Sequence, residues 1–346
     1  MDNAPLIGIM QSNRRRRELS NTFFYINDLN LKLFTFAPAD IIWSKKEIQG
    51  IYLEDGKWIE ASFPFPDVIY NRCYRNVRKT IRRLEKYIGK NKCFNLINHF
   101  NKWWIYKILS NSIIKDYLPE TFPCNKDNII NLLEKYKRFY LKPSLGHKGK
   151  GVYLIKLGED DQKEVYKDTL LPREIITGND DFFNKIIQYT WGRKYIVQQG
   201  VDLAQIDGMY FDIRVLVQKN IVGNWDTTTI VSRIAYHNIF NTSLCQKVYT
   251  SVKVFDQLYK CPVKRDKVFE ELNKVSLIAA RIIEAKRGQL GEMAVDFGLD
   301  VTGKLWIIEV NGKPQKTIYD NIEELECKEL IYKRPLEYAY YLSKSK

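Results

Sequence analysis

Leu290 to Pro314, reading LGEMAVDFGLDVTGKLWIIEVNGKP, is the stretch that most narrows what this chain can fold into. Met293 to Leu299 alternates apolar and polar positions, Asp300 to Lys304 supplies turn chemistry, and Leu305 to Val310 is an apolar, β-branched run. That spacing predicts two strands joined by a tight turn. Three oxygen-bearing side chains sit on the hairpin. Asp296 lies mid-strand, and Glu309 and Asn311, two residues apart, share one face of the second strand. Antiparallel pairing can bring Asp296 to the same face. Two carboxylates and an amide oxygen form a hard donor set, suited to magnesium already carrying water and substrate phosphates, with manganese as the alternative ion. The bland alternative is a solvated hairpin with ordinary surface acids. It sits poorly with VDF and IIEVN, where an unpaired charge would be costly to bury.

A chain of 346 residues is long enough for two or three lobes with their own cores. Its 17 Phe, 22 Tyr and 7 Trp argue for an ordered globular protein. No apolar run approaches the ~20 residues a membrane span needs, and the N-terminus lacks the apolar segment of a signal peptide. The expected compartment is therefore the cytosol, with no membrane partner. Cys73, Cys93, Cys124, Cys245, Cys261 and Cys327 are scattered without zinc spacing, so free thiols are the simplest reading. With only His99, His147 and His237, a histidine-based metal site is not expected.

The net charge of +14 is uneven. Arg72 to Lys92 holds nine Lys and Arg against the single acid Glu85, and Arg14 to Arg17 forms a second knot. Arg72, Arg75, Lys79, Arg82, Arg83 and Lys86 recur at three- and four-residue steps, which predicts a basic stripe on a helix. Such a stripe can meet an anionic substrate or a nucleic acid, and a merely solvated face explains it equally well.

In chain order, Leu6 to Met10 and Lys32 to Phe36 read as strands, with a helix beginning near Asn21 between them. Ile48 to Leu53 with Trp58 and Ile59 reads as a hairpin about Asp55-Gly56, and Val68 to Tyr70 as a further strand. Residues 1–97 thus form an α/β N-terminal lobe. It carries no GxGxxG or Walker sequence. A helix follows from Lys102 to about Asn111, another from Asn128 to Tyr136, then a strand from Arg138 to Lys142. That strand enters YLKPSLGHKGKGVYLIK, where Gly146, Gly149 and Gly151 loosen a loop before Val152 to Lys156 resumes the sheet. Its backbone N–H groups can close on phosphates over Lys142; an ordinary hairpin turn reads as well. Tyr195 to Gln199 is a short strand. Tyr210 to Gln218 places Asp212 and Arg214 on one face, and Thr228 to Ala235 carries Arg233. The two arginines make an anion clamp, since a guanidinium grips phosphate or carboxylate through two donors. Asp266 to Lys286 is a long helix.

KPSLGHKGKGV, YIVQQ, FDIR, SR, AVDFG and IIEVNGKP, in that order, resemble the ATP-grasp superfamily, and the layout is similar to its endospore coat-associated YheC/YheD-type branch. PDVIYNR and NKWWIYKIL extend the resemblance over nearly the whole chain. It implies an α+β fold, with nucleotide held between two α+β subdomains (98–200 and 201–346) behind the N-terminal lobe. Carried over residue by residue, Lys142 and Lys102 would meet the ATP phosphates beside the loop at Gly149. Gln198, Gln199 and Val201 would line the adenine pocket, and Asp212 would lie near the ribose. Arg214 and Arg233 would hold the transferred phosphate, and Asp296, Glu309 and Asn311 would bind magnesium. The chain departs from the pattern in having Gln198 where an acid is common, and Asn241-Thr242-Ser243 where a glycine pair often follows the asparagine. The implied activity is ligation of a carboxylate to an amine or thiol through an acyl phosphate. An ATP-binding assembly protein of the spore coat is the alternative. The implied partners are a small-molecule or peptide carboxylate, an amine-type nucleophile and spore-coat proteins. Nucleic acid is not expected, because no reading module is present.

Overall fold

The computed structural model describes residues 4–12, 22–24 and 26–345. Arg14 to Arg17 lie outside the described residues, as does Asn21, although residues 22–24 are helical. Three sheets follow one another along the chain. The first contains β1 (Leu6–Met10), β2 (Lys32–Phe36), β3 (Ile41–Ile42), β4 (Glu47–Glu54), β5 (Lys57–Pro64), β6 (Val68–Asn71) and β7 (Cys93–Phe94). Their order is β3-β4-β2-β1-β6-β7, with β5 on β4, and β1 pairs in parallel with both β2 and β6. LIGIM and the Val68–Tyr70 part of VIYN are apolar runs because the strands at the centre of a parallel sheet are covered on both faces.

The basic run differs from its expected form. Helix α1 is Arg78–Ile88, so Arg72 and Arg75 precede it. Asn98 Nδ2 donates to the carbonyls of Asn71 (2.9 Å) and Cys73 (3.0 Å), and Asn71 Oδ1 accepts from the Cys73 N–H. These bonds hold the chain out of helical geometry and turn Arg72 into the interior, 7% exposed.

The second sheet contains β8 (Thr121–Pro123), β9 (Arg138–Pro143), β10 (Tyr153–Leu157), β11 (Lys163–Tyr166), β12 (Pro172–Ile176) and β13 (Tyr195–Gln199), in the antiparallel order β12-β11-β10-β9-β13-β8. Helices α2 (Lys102–Leu109) and α3 (Lys126–Tyr136) precede β9, and α4 (Asn179–Thr190) precedes β13. Ile129, Leu132, Phe182 and Ile186, from α3 and α4, share one core with Phe139, Leu141 and Val197 of the sheet. Helix α2 packs elsewhere: Ile105 and Leu109 join the core of the third sheet.

That third sheet contains β14 (Gln205–Ile206), β15 (Met209–Lys219), β16 (Trp225–Ala235), β17 (Cys245–Thr250), β18 (Glu292–Leu299) and β19 (Leu305–Asn311), ordered β17-β16-β15-β18-β19 with β14 on β15. Helices α5 (Ser251–Leu258) and α6 (Pro262–Arg287) connect β17 to β18, and α7 (Lys328–Lys344) ends the described chain. Period-two alternation sorts the faces. Phe211, Ile213, Val215, Met293, Val295 and Phe297 pack on Leu272, Val275 and Ala279 of α6. The opposite face carries Asp212, Arg214, Gln218, Glu292 and Asp296, all buried.

Glu292 joins that face to the N-terminal lobe. It accepts from Lys316 Nζ at 2.7 Å, from Gln218 Nε2 at 3.1 Å and from the Tyr70 hydroxyl, and lies 3.4 Å from Arg72 Nη1. Helix α7 contributes through a missing donor. Pro335 lies inside it and has no N–H for the carbonyl of Ile331, four residues earlier. That oxygen instead accepts from Lys316 Nζ (2.7 Å) and Gln218 Nε2 (2.9 Å). Burial would raise the Glu292 pKa, but Lys316 and Arg72 outweigh it and hold the carboxylate below its usual range. Glu292→Ala would leave two cations buried without their acid, so a loss of about 3–5 kcal/mol in urea unfolding is expected. A loss below about 1 kcal/mol would mean that the network does not carry the lobe contact.

Candidate functional site

A cleft opens between the second and third sheets. Lys142 enters it from the end of β9, where Pro143 follows and Ile196 of β13 pairs with it. The ammonium is buried: Nζ donates to Gln198 Oε1 at 2.5 Å and sits 5.0 Å from the Tyr140 ring centre. Gln198 is held in turn, its Nε2 donating to Thr121 Oγ1 at 3.0 Å. The Gln198 amide therefore positions Lys142 while lining the cleft beside it. Burial lowers the Lys142 pKa to about 8, with Lys102 adding to the fall and Glu309 opposing it.

Lys102 opens α2. Asn101 caps that helix by accepting from Trp104 N (3.1 Å), and Lys102 N donates to Ser144 O (2.9 Å), which pins the helix start beside the glycine-rich loop. Lys102 Nζ then reaches Glu309 Oε1 at 2.9 Å. In the loop, Gly149 has φ +63° and stands so close to the Asn241 side chain that any Cβ would collide with it. Asn241 belongs to a strap after β16 that crosses to the second sheet: its Nδ2 donates to Asp168 Oδ1 (2.7 Å), and Phe240 N to Asp168 O (3.0 Å). The strap was legible in the sequence only as an unusual loop, since its partner Asp168 lies in a segment with no motif. Val201 and Gln199 also line the cleft, with Val152, Leu203 and Ile308 as apolar wall. The Gln199 side chain is engaged, accepting from Glu120 N.

On the facing sheet, register sets four charges side by side. Asp212 pairs across from Arg233, and Arg214 across from Asp296. Arg214 donates to both Asp296 oxygens (2.7 and 2.6 Å), and Arg233 to both of Asp212 (2.7 and 2.5 Å) and to Asp296 Oδ2 (3.1 Å). Thr242 Oγ1 adds a bond to Asp212 at 2.5 Å. Burial pushes the Asp296 carboxyl up, but the two guanidiniums prevail and hold it below the usual carboxylate range. Asp212, Arg233 and Asp296 line the cleft; Arg214 stands behind them.

The hairpin has the predicted form. Asp296 pairs directly with Glu309, and Asn311 Nδ2 reaches Asp296 Oδ2 at 3.2 Å, so the three residues converge. Among the described residues no three His, Cys, Asp or Glu side chains cluster for a metal; the hairpin brings together two carboxylates and an amide, with Asp296 held by Arg214 and Arg233 and Glu309 by Lys102. Such a set suits a hard cation whose remaining positions are filled by phosphate and water. Glu309 is the more accessible acid, with its side chain 28% exposed against 4% for Asp296. Asn311, Glu309, Gly146 and His147 continue into a polar groove against the N-terminal lobe, where Asn98, His99 and Lys313 face them. Sequence spacing had given no role to His99, Asn98 or Lys313.

A family model described as "YheC/D like ATP-grasp" matches residues 90–342. The chain is 28% identical over 325 residues to the endospore coat-associated protein YheD of Bacillus subtilis (strain 168), covering 90% of this chain and 70% of that protein. It shares its fold with the D-alanine-D-alanine ligase from Coxiella burnetii, with TM-score 0.56, 9% identity, and 97% and 96% of the two chains covered. A carboxyaminoimidazole ribonucleotide synthase from Aspergillus clavatus, complexed with ATP, is similar at TM-score 0.54 and 14% identity, covering 92% of this chain and 73% of that one.

Anion binding favours charged Lys142, which titrates near 8. Affinity for sulfate, whose charge is constant over this range, should therefore be level below about pH 8. Above it, affinity should fall toward tenfold per pH unit. Lys142→Arg, charged throughout, should remove that fall in calorimetric titrations. Parallel profiles for the two proteins would contradict the assignment.

Proposed function

Because this chain belongs to the YheC/D-like ATP-grasp family, we propose that it is an ATP- and magnesium-dependent ligase that joins a carboxylate to an amine-type or thiol nucleophile through an acyl phosphate. The observation that carries this reading is convergence. Lys142 from one sheet and Arg233, Asp296 and Glu309 from the other meet across a single cleft, with Lys102 bound to Glu309 between them. Chain-order units of 1–97, 98–200 and 201–346 are proposed with it.

In this reading ATP is a substrate, its base against Val152, Leu203 and Ile308 beside Gln199 and Val201, its ribose near Asp212. Lys142 and Lys102 meet the phosphates under the loop at Gly149, and Gln198 keeps the Lys142 ammonium aimed. Asp296, Glu309 and Asn311 would hold magnesium, which supplies charge neutralisation at the transferred phosphoryl group. A carboxylate oxygen attacks the γ-phosphorus, the bond to the β–γ bridging oxygen breaks, and ADP leaves. The nucleophile then attacks the acyl carbon, loses its proton, and inorganic phosphate departs. The groove at Asn98, His99, His147 and Lys313 adjoins the phosphate end through Glu309 and Asn311, so the nucleophile and carboxylate are placed there. Arg233 faces the transferred phosphate, and Arg214 keeps Asp296 in place behind it. The protein's work is positioning and charge stabilisation.

A second reading is favoured by one observation: both guanidiniums are already engaged by Asp212 and Asp296. A protein that binds ATP without turnover, serving assembly at the spore coat, would need no free arginine. Relatives named for the endospore coat support a spore association as the setting for either reading.

The two readings separate on turnover. With pools of carboxylates and amines supplied, wild-type protein should release ADP in a substrate-dependent manner. Glu309→Gln should lower that rate at least a hundredfold, with unfolding stability changed by less than about 1 kcal/mol, because a partly exposed acid is removed. ATP binding without any ADP release across those pools would support the assembly reading. Near-normal turnover by Glu309→Gln would overturn the site assignment.

A further inference from the structure

The basic surface of α1 belongs to none of the site described above. Ile81 and Leu84 anchor the helix inward, which leaves Lys79, Arg82, Arg83 and Lys86 exposed on the other side. None of these four makes an ion pair with a carboxylate among the described residues. The neighbouring acids are occupied internally: Glu85 accepts from Asn91 N, Asp67 from Leu6 N, and Glu47 from the Ser62 hydroxyl. Positive charge on this face is therefore left for something outside the protein to meet.

Next to the helix stands an aromatic pile. Trp43, Phe65 and Tyr87 touch pairwise, with ring centres 5.9 Å (Trp43–Phe65), 5.3 Å (Phe65–Tyr87) and 6.5 Å (Trp43–Tyr87) apart. The first two contacts are edge-on, at 74° and 71°. Arg83 lies over Trp43 at 3.9 Å, and Lys46 over Tyr87 at 5.7 Å. Pro64, Pro66 and Ile88 extend the same surface as an open groove with Phe65 and Tyr87.

From this arrangement we propose that α1 and the Trp43–Phe65–Tyr87 pile form a docking surface for an acidic polypeptide segment bearing apolar side chains. Ring geometry selects polypeptide over nucleic acid. Single-stranded nucleic acid needs open ring faces on which successive bases stack. Here each of Trp43 and Tyr87 has a cation over its ring and meets Phe65 edge-on. The same contacts hold Arg83 and Lys46 in place before a partner arrives, which lowers the ordering cost of pairing them with carboxylates. Helix α1 is about 16 Å long, from its 11 residues at 1.5 Å each, so it spans roughly five residues of extended peptide. The groove beside it offers proline and aromatic surface to an apolar side chain of the same segment.

The test uses the full chain with a fluorescein-labelled 18-residue peptide of repeated Glu-Asp-Leu and an 18-nucleotide oligodeoxythymidine, read by anisotropy at two salt concentrations. The peptide should bind at least tenfold tighter than the oligonucleotide, with affinity falling as salt rises. The triple variant Arg82→Glu, Arg83→Glu, Lys86→Glu should weaken the peptide at least tenfold and leave ATP-analogue affinity within twofold. Arg83→Gln, a milder change at an exposed position, should weaken it about threefold and guards against misfolding of the triple variant. Tighter binding of the oligonucleotide would overturn the proposal, as would peptide affinity unchanged in both variants.

Discussion

Four charges on three adjacent strands govern the face of the third sheet that looks into the cleft. Asp212, Arg233, Asp296 and Arg214 sum to zero, and strand register alone places them opposite one another. Neutrality is what makes their burial tolerable, because an isolated ion there would carry a desolvation cost of several kcal/mol. The bidentate geometry also fixes the planes of both guanidiniums and both carboxylates. A face so arranged changes little when charge arrives at it, which is the property a phosphoryl-transfer site requires.

The same sheet face continues toward the N-terminal lobe and ends in a second charged set around Glu292. Between the two sets lie Leu216 and Ala294, both buried. β18 thus carries Glu292 at one end of its polar row and Asp296 four residues on, a spacing that keeps both on one face. Pro335 joins this set by what it lacks, leaving the Ile331 carbonyl to Lys316 and Gln218. Lys313 adds a bond from the end of the hairpin to the carbonyl of Arg72. Lobe packing and the metal-capable hairpin are in this way two ends of one buried polar framework.

Much of this framework was legible in local sequence. The hairpin could be read because period two places Glu309 and Asn311 together; the turn sets Leu299 opposite Leu305, and a bulge at Ile308, which no local pattern signals, shifts Asp296 opposite Glu309. Lys142 could be read because a strand ends there in a proline before a glycine-rich loop. The basic stripe misled for a physical reason: helical spacing from Arg72 onward is real, but bonds from Asn71 and Asn98 delay the helix to Arg78. Arg72 is consumed by Glu292, 220 residues away, and no local pattern announces such a partner. The strands and helices of residues 157–194 and 315–346 carry no motif, and Pro335 argues against a helix that tertiary bonds sustain. The anchoring of the Asn241 strap to Asp168 was hidden likewise.

The central claim is that the cleft takes a nucleotide triphosphate together with magnesium through Lys142 and the Asp296–Glu309–Asn311 set. Calorimetric titration with a non-hydrolysable ATP analogue, with and without magnesium, addresses it most directly. The account predicts one site per chain, affinity raised at least tenfold by magnesium, and loss of that gain in Asn311→Ala. Binding indifferent to magnesium, or no binding at all, would contradict it.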